Sequence, residues 1–227
     1  MSKFTQETGA YLTDKPRMKD YYPVVYNLIE SRRYKSVLDI GCASGDFINL
    51  MSNFDDVECI GVDISEELIS RAKANSNNSN TKFLHADILE DSSMVKKPID
   101  MITCFGTAIA IENLKLLIDR LISFQPKLIF LNDFINVNGL DVVVGYRRQE
   151  QTKFNYGYNI RSEETWRGLI KNFQDYSIEF QPYKMKSKLI KGNSPTRNYH
   201  SSIDGELLQR NGMDLIVRGY NILISRA

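Results

Sequence analysis

Two carboxylates, one on either side of a glycine turn and a short helix, are the residues of this sequence best spaced to do chemistry. The first is Asp39, in Ser36-Val37-Leu38-Asp39-Ile40-Gly41-Cys42-Ala43-Ser44-Gly45-Asp46-Phe47. Val37 to Ile40 reads as a buried strand, Gly41 and Gly45 as a turn, and Phe47, Ile48, Leu50 and Met51 recur at helical spacing. Strand, glycine turn and helix in that order let a backbone approach a ligand closely and aim free amides at it. The second acid is Asp63, which ends the apolar strand Cys59-Ile60-Gly61-Val62-Asp63-Ile64-Ser65. It lies roughly 20 residues past the turn, where a neighbouring parallel strand sets a carboxylate on a ribose diol. A plain βαβ unit capped by Ser65 would use the same residues structurally, but the two halves together favour a nucleotide.

Candidates for acid–base work are few. His200, in Arg197-Asn198-Tyr199-His200-Ser201-Ser202, and Asp133, at the end of a fifth apolar strand, are the catalytic candidates. Ligands of doubly wound sheets bind at that strand edge. Arg147, Arg148 and Arg197 have the planar fork that clamps a phosphate or carboxylate, with Tyr146 and Tyr199 beside them as further substrate contacts. A solvated basic surface is the plainer reading of the arginines. Three widely spaced cysteines, Cys42, Cys59 and Cys104, and two histidines offer no metal-ligand spacing.

The elements that must position these groups follow from the pattern of the chain. With 227 residues, 42% hydrophobic and 25% charged, it suits one α/β domain with a full core. A net charge of +1 creates no global field for nucleic acid or an anionic membrane. The polar start and the absence of a long apolar run point to a cytoplasmic protein with reduced thiols. A helix is expected from Pro23, a third strand over Lys82–His85 and a fourth over Ile99–Gly106. Helices follow over Leu114–Ile122 and after Ser162, and the fifth strand spans Leu128–Asp133. Asp175–Tyr183 alternates like an exposed strand, and Leu215–Ser225 reads as a long closing strand. Strand–helix alternation implies a parallel sheet covered on both faces.

Asp39-Ile40-Gly41-Cys42-Ala43-Ser44-Gly45 and Gly61-Val62-Asp63-Ile64-Ser65 resemble the first and second motifs of the class I S-adenosylmethionine-dependent methyltransferases. Ala43 stands where many members carry glycine. The likeness runs from about Tyr34 to Arg226 and is sharp in the first half. It implies an α/β, doubly wound, mostly parallel seven-stranded sheet with helices on both faces and an antiparallel last strand. In that arrangement residues 1–33 form an N-terminal cap, 34–135 the cofactor core, 136–212 substrate-side insertions and 213–227 the terminal strand. S-adenosyl-L-methionine would be held by Asp39, Gly41, Cys42, Ala43, Gly45, Asp63, Ile64, Ala86, Asp87, Ile88 and Phe105, leaving S-adenosyl-L-homocysteine. Asp87 would accept from the adenine amine, and Phe105 with Gly106 would border the methyl group. Cys104-Phe105-Gly106-Thr107 departs from the Asn/Asp-Pro-Pro-aromatic sequence of nucleic-acid amino-methyltransferases.

The resemblance therefore implies a small-molecule methyltransferase, monomeric or homodimeric, with no nucleic-acid or membrane partner. The aromatic and basic stretch from Asn136 to Tyr158 is similar to that of bacterial enzymes of surface-polysaccharide and sugar-nucleotide pathways. An anionic or sugar-linked hydroxyl is the expected acceptor, ahead of nitrogen. An aminopropyltransferase would want an acidic pocket, which the basic last third disfavours. A binding protein that has lost catalysis is the alternative from another class.

Overall fold

The computed structural model describes residues 18–227 except 97, 148, 154, 185–188, 192–197, 212 and 214. Its central sheet places seven strands in the order β3-β2-β1-β4-β5-β11-β8. Here β1 is Ser36–Ile40, β2 Glu58–Asp63, β3 Thr81–His85, β4 Met101–Phe105 and β5 Leu128–Asn136. These five run parallel, so Ile40, Asp63, His85, Phe105 and Asn136 all end at one edge. β8 (Tyr176–Tyr183) and β11 (Gly219–Arg226) complete the row, with β11 antiparallel to both β5 and β8. The closing strand starts four residues later than the apolar run from Leu215 implied. Ile216 instead bridges to Arg210 and stays 57% exposed.

The sheet is larger than the expected seven strands. Residues 136–162 form a hairpin of β6 (Val142–Tyr146) and β7 (Asn155–Ser162), and β7 joins the end of β5 in parallel at Ile135↔Arg161. A separate two-stranded sheet joins β9 (Asn198–Ile203) to β10 (Glu206–Asn211). Asp204 and Gly205 both take positive φ between them, as a tight hairpin turn requires.

Both faces of the sheet are covered, which is why its central strands are mostly apolar. On one face α1 (Tyr22–Arg32), α2 (Asp46–Met51) and α3 (Glu66–Ala74) bury Val25, Ile29, Phe47, Met51 and Ala72 against Val37 and Phe130. On the other, α4 (Leu114–Ile122) and α5 (Glu163–Ile170) bury Leu117, Ile118 and Trp166 against Leu38, Ile102 and Ile222. The helix starts are set locally. Pro sits in the first turn of α1, and the side chains of Ser65, Asn113 and Ser162 accept from Leu68, Leu116 and Thr165 amides. The asparagine run after α3 is a clasp: Asn80 Nδ2 donates to the carbonyls of Ser52, Phe54 and Val57.

Candidate active site

The turn after β1 alternates its backbone handedness. Gly41, Ala43 and Gly45 have φ of 75°, 49° and 80°. Glycine is required at the two ends for different reasons: a Cβ on Gly41 would overlap the Thr107 side chain, and one on Gly45 would lie 2.6 Å from the Phe83 ring. Gly41 and Cys42 amides both donate to the Val62 carbonyl, at 2.8 and 3.1 Å, which binds the turn to the end of β2. Ala43 has no such steric exemption, and its left-handed backbone costs about 1–2 kcal/mol.

Asp63 holds that residue in place. Its Oδ2 accepts from the Ala43 amide and its Oδ1 from the Ser65 amide, each at 2.9 Å. Burial pushes the Asp63 carboxyl above its ordinary value, while these amide bonds and nearby His85 pull the other way. Ile64, the next residue, is 44% exposed. His85 is fixed by its Nε2, 3.0 Å from the Ile64 carbonyl oxygen.

Asp39 is buried one strand over, directly beside Thr103, whose Oγ1 donates to its Oδ1 at 2.7 Å. Burial raises its pKa to about 7, opposed by the Thr103 bond and by Lys19 and reinforced by the Asp63 charge. After β3, Ala86 donates its amide to the Asp63 carbonyl at 3.0 Å, and Ile88 is buried. Asp87 Oδ1 accepts from the Leu89 amide at 2.9 Å, so this acid shapes its own turn.

At the end of β4, the half-buried Phe105 ring lies among Tyr21, Tyr22, Phe47 and Phe130, with centroids 4.7 to 6.1 Å away. Gly106 follows with φ 65°, and a Cβ there would meet open space. The strand edge thus holds a glycine cradle, an aromatic floor, two buried acids and a gap. Such an edge could hold a nucleoside, with a carboxylate for a diol and turn amides for a charged chain.

Asp133 lies at the same edge on β5, 5% exposed, with Oδ1 accepting its neighbour Phe134's amide at 2.7 Å. Burial raises its pKa to about 8, against the Phe134 bond and the Arg161 charge. His200 is placed differently. It lies on β9, opposite Gln209, and its Nδ1 accepts from the Leu189 amide at 3.0 Å. That bond leaves the ring proton on Nε2, a donor rather than a base. Tyr199 is buried beneath the Lys191 ammonium, 5.1 Å from the ring centroid. Tyr146 is half-buried at the end of β6 and Arg147 is exposed just after it. Arg148 and Arg197 lie outside the described residues.

Several residues of the site left little trace in the sequence. Thr103 and Thr107 are ordinary hydroxyls in or after an apolar run. The strand register sets Phe105, Asn132, Asn221 and Gln181 abreast on one face, and Asn132 Nδ2 donates to Asn221 Oδ1 at 2.8 Å. On β7, Asn159 and Arg161 are buried and donate to backbone carbonyls of residues 108–112. Their strand carries alternating polar residues, Asn155, Asn159 and Arg161, which is the signal available beforehand.

Comparison with known proteins follows the same line. Residues 31–179 match a family model described as a methyltransferase domain. Curated proteins compared by sequence give no match. Among solved structures, the N-terminal domain of EvdMO1 with SAH bound aligns over 98% of this chain and 85% of its own, at 13% identity and a TM-score of 0.60. Magnesium protoporphyrin IX methyltransferase from Synechocystis PCC 6803 with bound SAM aligns over 91% and 78%, at 13% identity and 0.55. The plantazolicin methyltransferase BpumL, in complex with a pentazolic desmethylPZN analog and SAH, aligns over 89% and 81%, at 19% identity and 0.55. At these identities the likeness is one of fold.

Proposed function

The chain belongs to the methyltransferase-domain family, and from that premise we propose that it methylates a hydroxyl of an anionic small molecule with S-adenosylmethionine. S-adenosylhomocysteine is the second product, and residues 1–227 act as one methyltransferase domain. The observation that carries this reading is the strand edge itself. Asp63, the glycine turn and Gly106 meet at that edge, and the Gly106 amide donates to the Asn132 carbonyl at 2.9 Å, one residue before Asp133 on β5.

When bound, the cofactor supplies a sulfonium methyl that is already a strong electrophile. The protein's task is then to orient and to manage one proton. Asp63 and the turn amides hold the nucleoside, Asp39 lies beside the cationic chain, and Phe105 closes one wall. Holding donor and acceptor in line supplies roughly 7–11 kcal/mol of the barrier. An alcohol must lose its proton as it attacks, and Asp133, with a pKa raised to about 8, is a base matched to that step. Arg147 on the hairpin supports an anionic acceptor, with Arg148 and Arg197 assigned the same role. Three unpaired cysteines support a cytoplasmic setting, and among the described residues no helix is long and apolar enough to cross a membrane.

The test is turnover. Wild type should convert S-adenosylmethionine to S-adenosylhomocysteine when given a pool of anionic metabolites. Asp133→Asn should bind S-adenosylhomocysteine like wild type yet lose turnover by about 100-fold or more, the ordinary worth of a general base. Full activity in that variant would remove Asp133 from the chemistry.

A further inference from the structure

We infer that Asn159 and Arg161 on β7 are positioning residues that clamp segment 107–112 onto the glycine turn, so that cofactor affinity depends on a strand outside the cofactor core. This rests on the reading above that the glycine turn holds S-adenosylmethionine.

The segment has little structure of its own. It contains one 3₁₀ turn, Ala108–Ala110, closed by Ala110 and Ile111 amides donating to the Thr107 and Ala108 carbonyls. The turn's own bonds use the Thr107 and Ala108 carbonyls; those of Ile109, Ile111 and Glu112 take donors from elsewhere, and that of Ala108 gains a second. β7 provides them. Asn159 Nδ2 donates to Ile109 and Ile111 oxygens at 3.3 and 3.2 Å. Arg161 Nη1 donates to the Ala108 oxygen at 3.2 Å, and Nη2 to the Glu112 oxygen at 3.1 Å and to that of Ile111. The two side chains are i and i+2 on a strand, so they share a face, and both are over nine-tenths buried.

What they hold is the residue that touches the cofactor turn. Thr107 packs so closely on Gly41 that a Cβ there would overlap it. Releasing the carbonyls of 108–112 frees Thr107 to leave Gly41 and opens the gap at Gly106. Arg161 also bears on the other reactant, since its charge opposes the burial that raises Asp133. One guanidinium therefore fixes the donor side and tempers the proposed base.

The experiment is calorimetric titration of S-adenosylhomocysteine into the purified full chain, beside steady-state kinetics on the cofactor. Arg161→Met should weaken binding by at least about tenfold, and raise KM for the cofactor by more than it lowers kcat. Arg161→Lys should recover part of the loss, since one ammonium cannot span three carbonyls. Asn159→Ala, a milder neutral change, should weaken binding severalfold and keeps the test alive if Arg161→Met does not fold. Leu169→Ala, in the groove between α4 and α5, should lower the melting temperature without changing affinity. Wild-type affinity in Arg161→Met or Asn159→Ala would overturn the inference, as would an equal loss in Leu169→Ala. Absence of binding by wild type would instead bring down the functional reading on which it rests.

Discussion

The Asp63 carboxylate accepts the amide of Ala43 at 2.9 Å, so the acid that ends β2 also fixes the left-handed alanine of the turn after β1. One side chain thereby joins the proposed ribose contact to the shape of the glycine turn. Asp63→Ala should lower S-adenosylhomocysteine affinity at least about tenfold, or roughly 1.4 kcal/mol. It should also lower stability by about 1–3 kcal/mol, because the Ala43 and Ser65 amides lose their acceptor. Calorimetry and urea unfolding on the same preparation measure both; an unchanged affinity would remove Asp63 from the site.

Ala43 itself is under strain, with φ at 49° and a methyl group that glycine lacks. Ala43→Gly relieves that strain and adds some unfolded-state entropy, leaving a net gain of about 0.5–1 kcal/mol. Urea unfolding should show a higher midpoint at unchanged slope. A lower midpoint would mean that the alanine side chain packs usefully where it stands.

How much of this was legible beforehand differs by residue. The turn, Asp63 and the caps at Ser65 and Ser162 rest on local spacing, and the structure has them where the sequence placed them. The terminal strand lies antiparallel between β5 and β8, as the family resemblance implied. The clamp was not legible. Arg161 bonds carbonyls some fifty positions away, and a backbone carbonyl carries no residue type to read. The β9–β10 hairpin had a usable signal in Asp204-Gly205, between residues that alternate too weakly to announce strands. Asn132 and Asn221 meet through strand register, which no single strand reveals.

Asp133 gives opposite pH signatures in activity and stability. As the proposed base it must be ionised, so kcat/KM should rise with pH, reach half its maximum near pH 8 and level off above it. Its folded pKa of about 8 lies above the ordinary 3.8, so the folded protein holds a proton that the unfolded chain releases. Stability therefore falls as pH rises through that window, by about 1.4 kcal/mol per unit for this group. Asp39 adds a like slope that ends near pH 7. Between pH 7 and 8 the slope belongs to Asp133, and Asp133→Asn should flatten it in urea unfolding. A wild-type slope in the variant would assign the proton elsewhere.

The cysteines should be silent until the protein unfolds. Cys42, Cys59 and Cys104 are buried and unpaired, and burial pushes all three thiols up, that of Cys59 to about 12. Alkylation followed by mass spectrometry should find no label on the native protein at neutral pH and three after denaturation. Rapid native labelling of Cys42 would show that the glycine turn opens in solution.

The central claim is that this edge presents a methyl group to a small anionic acceptor. Incubation with methyl-labelled S-adenosylmethionine and a mixture of metabolite, protein and nucleic-acid fractions tests it directly. The label should appear in one metabolite carrying a negative charge, as a new O-methyl group, and Asp63→Ala should abolish it. Label in the protein or nucleic-acid fraction, or no transfer while the cofactor binds, would contradict the claim.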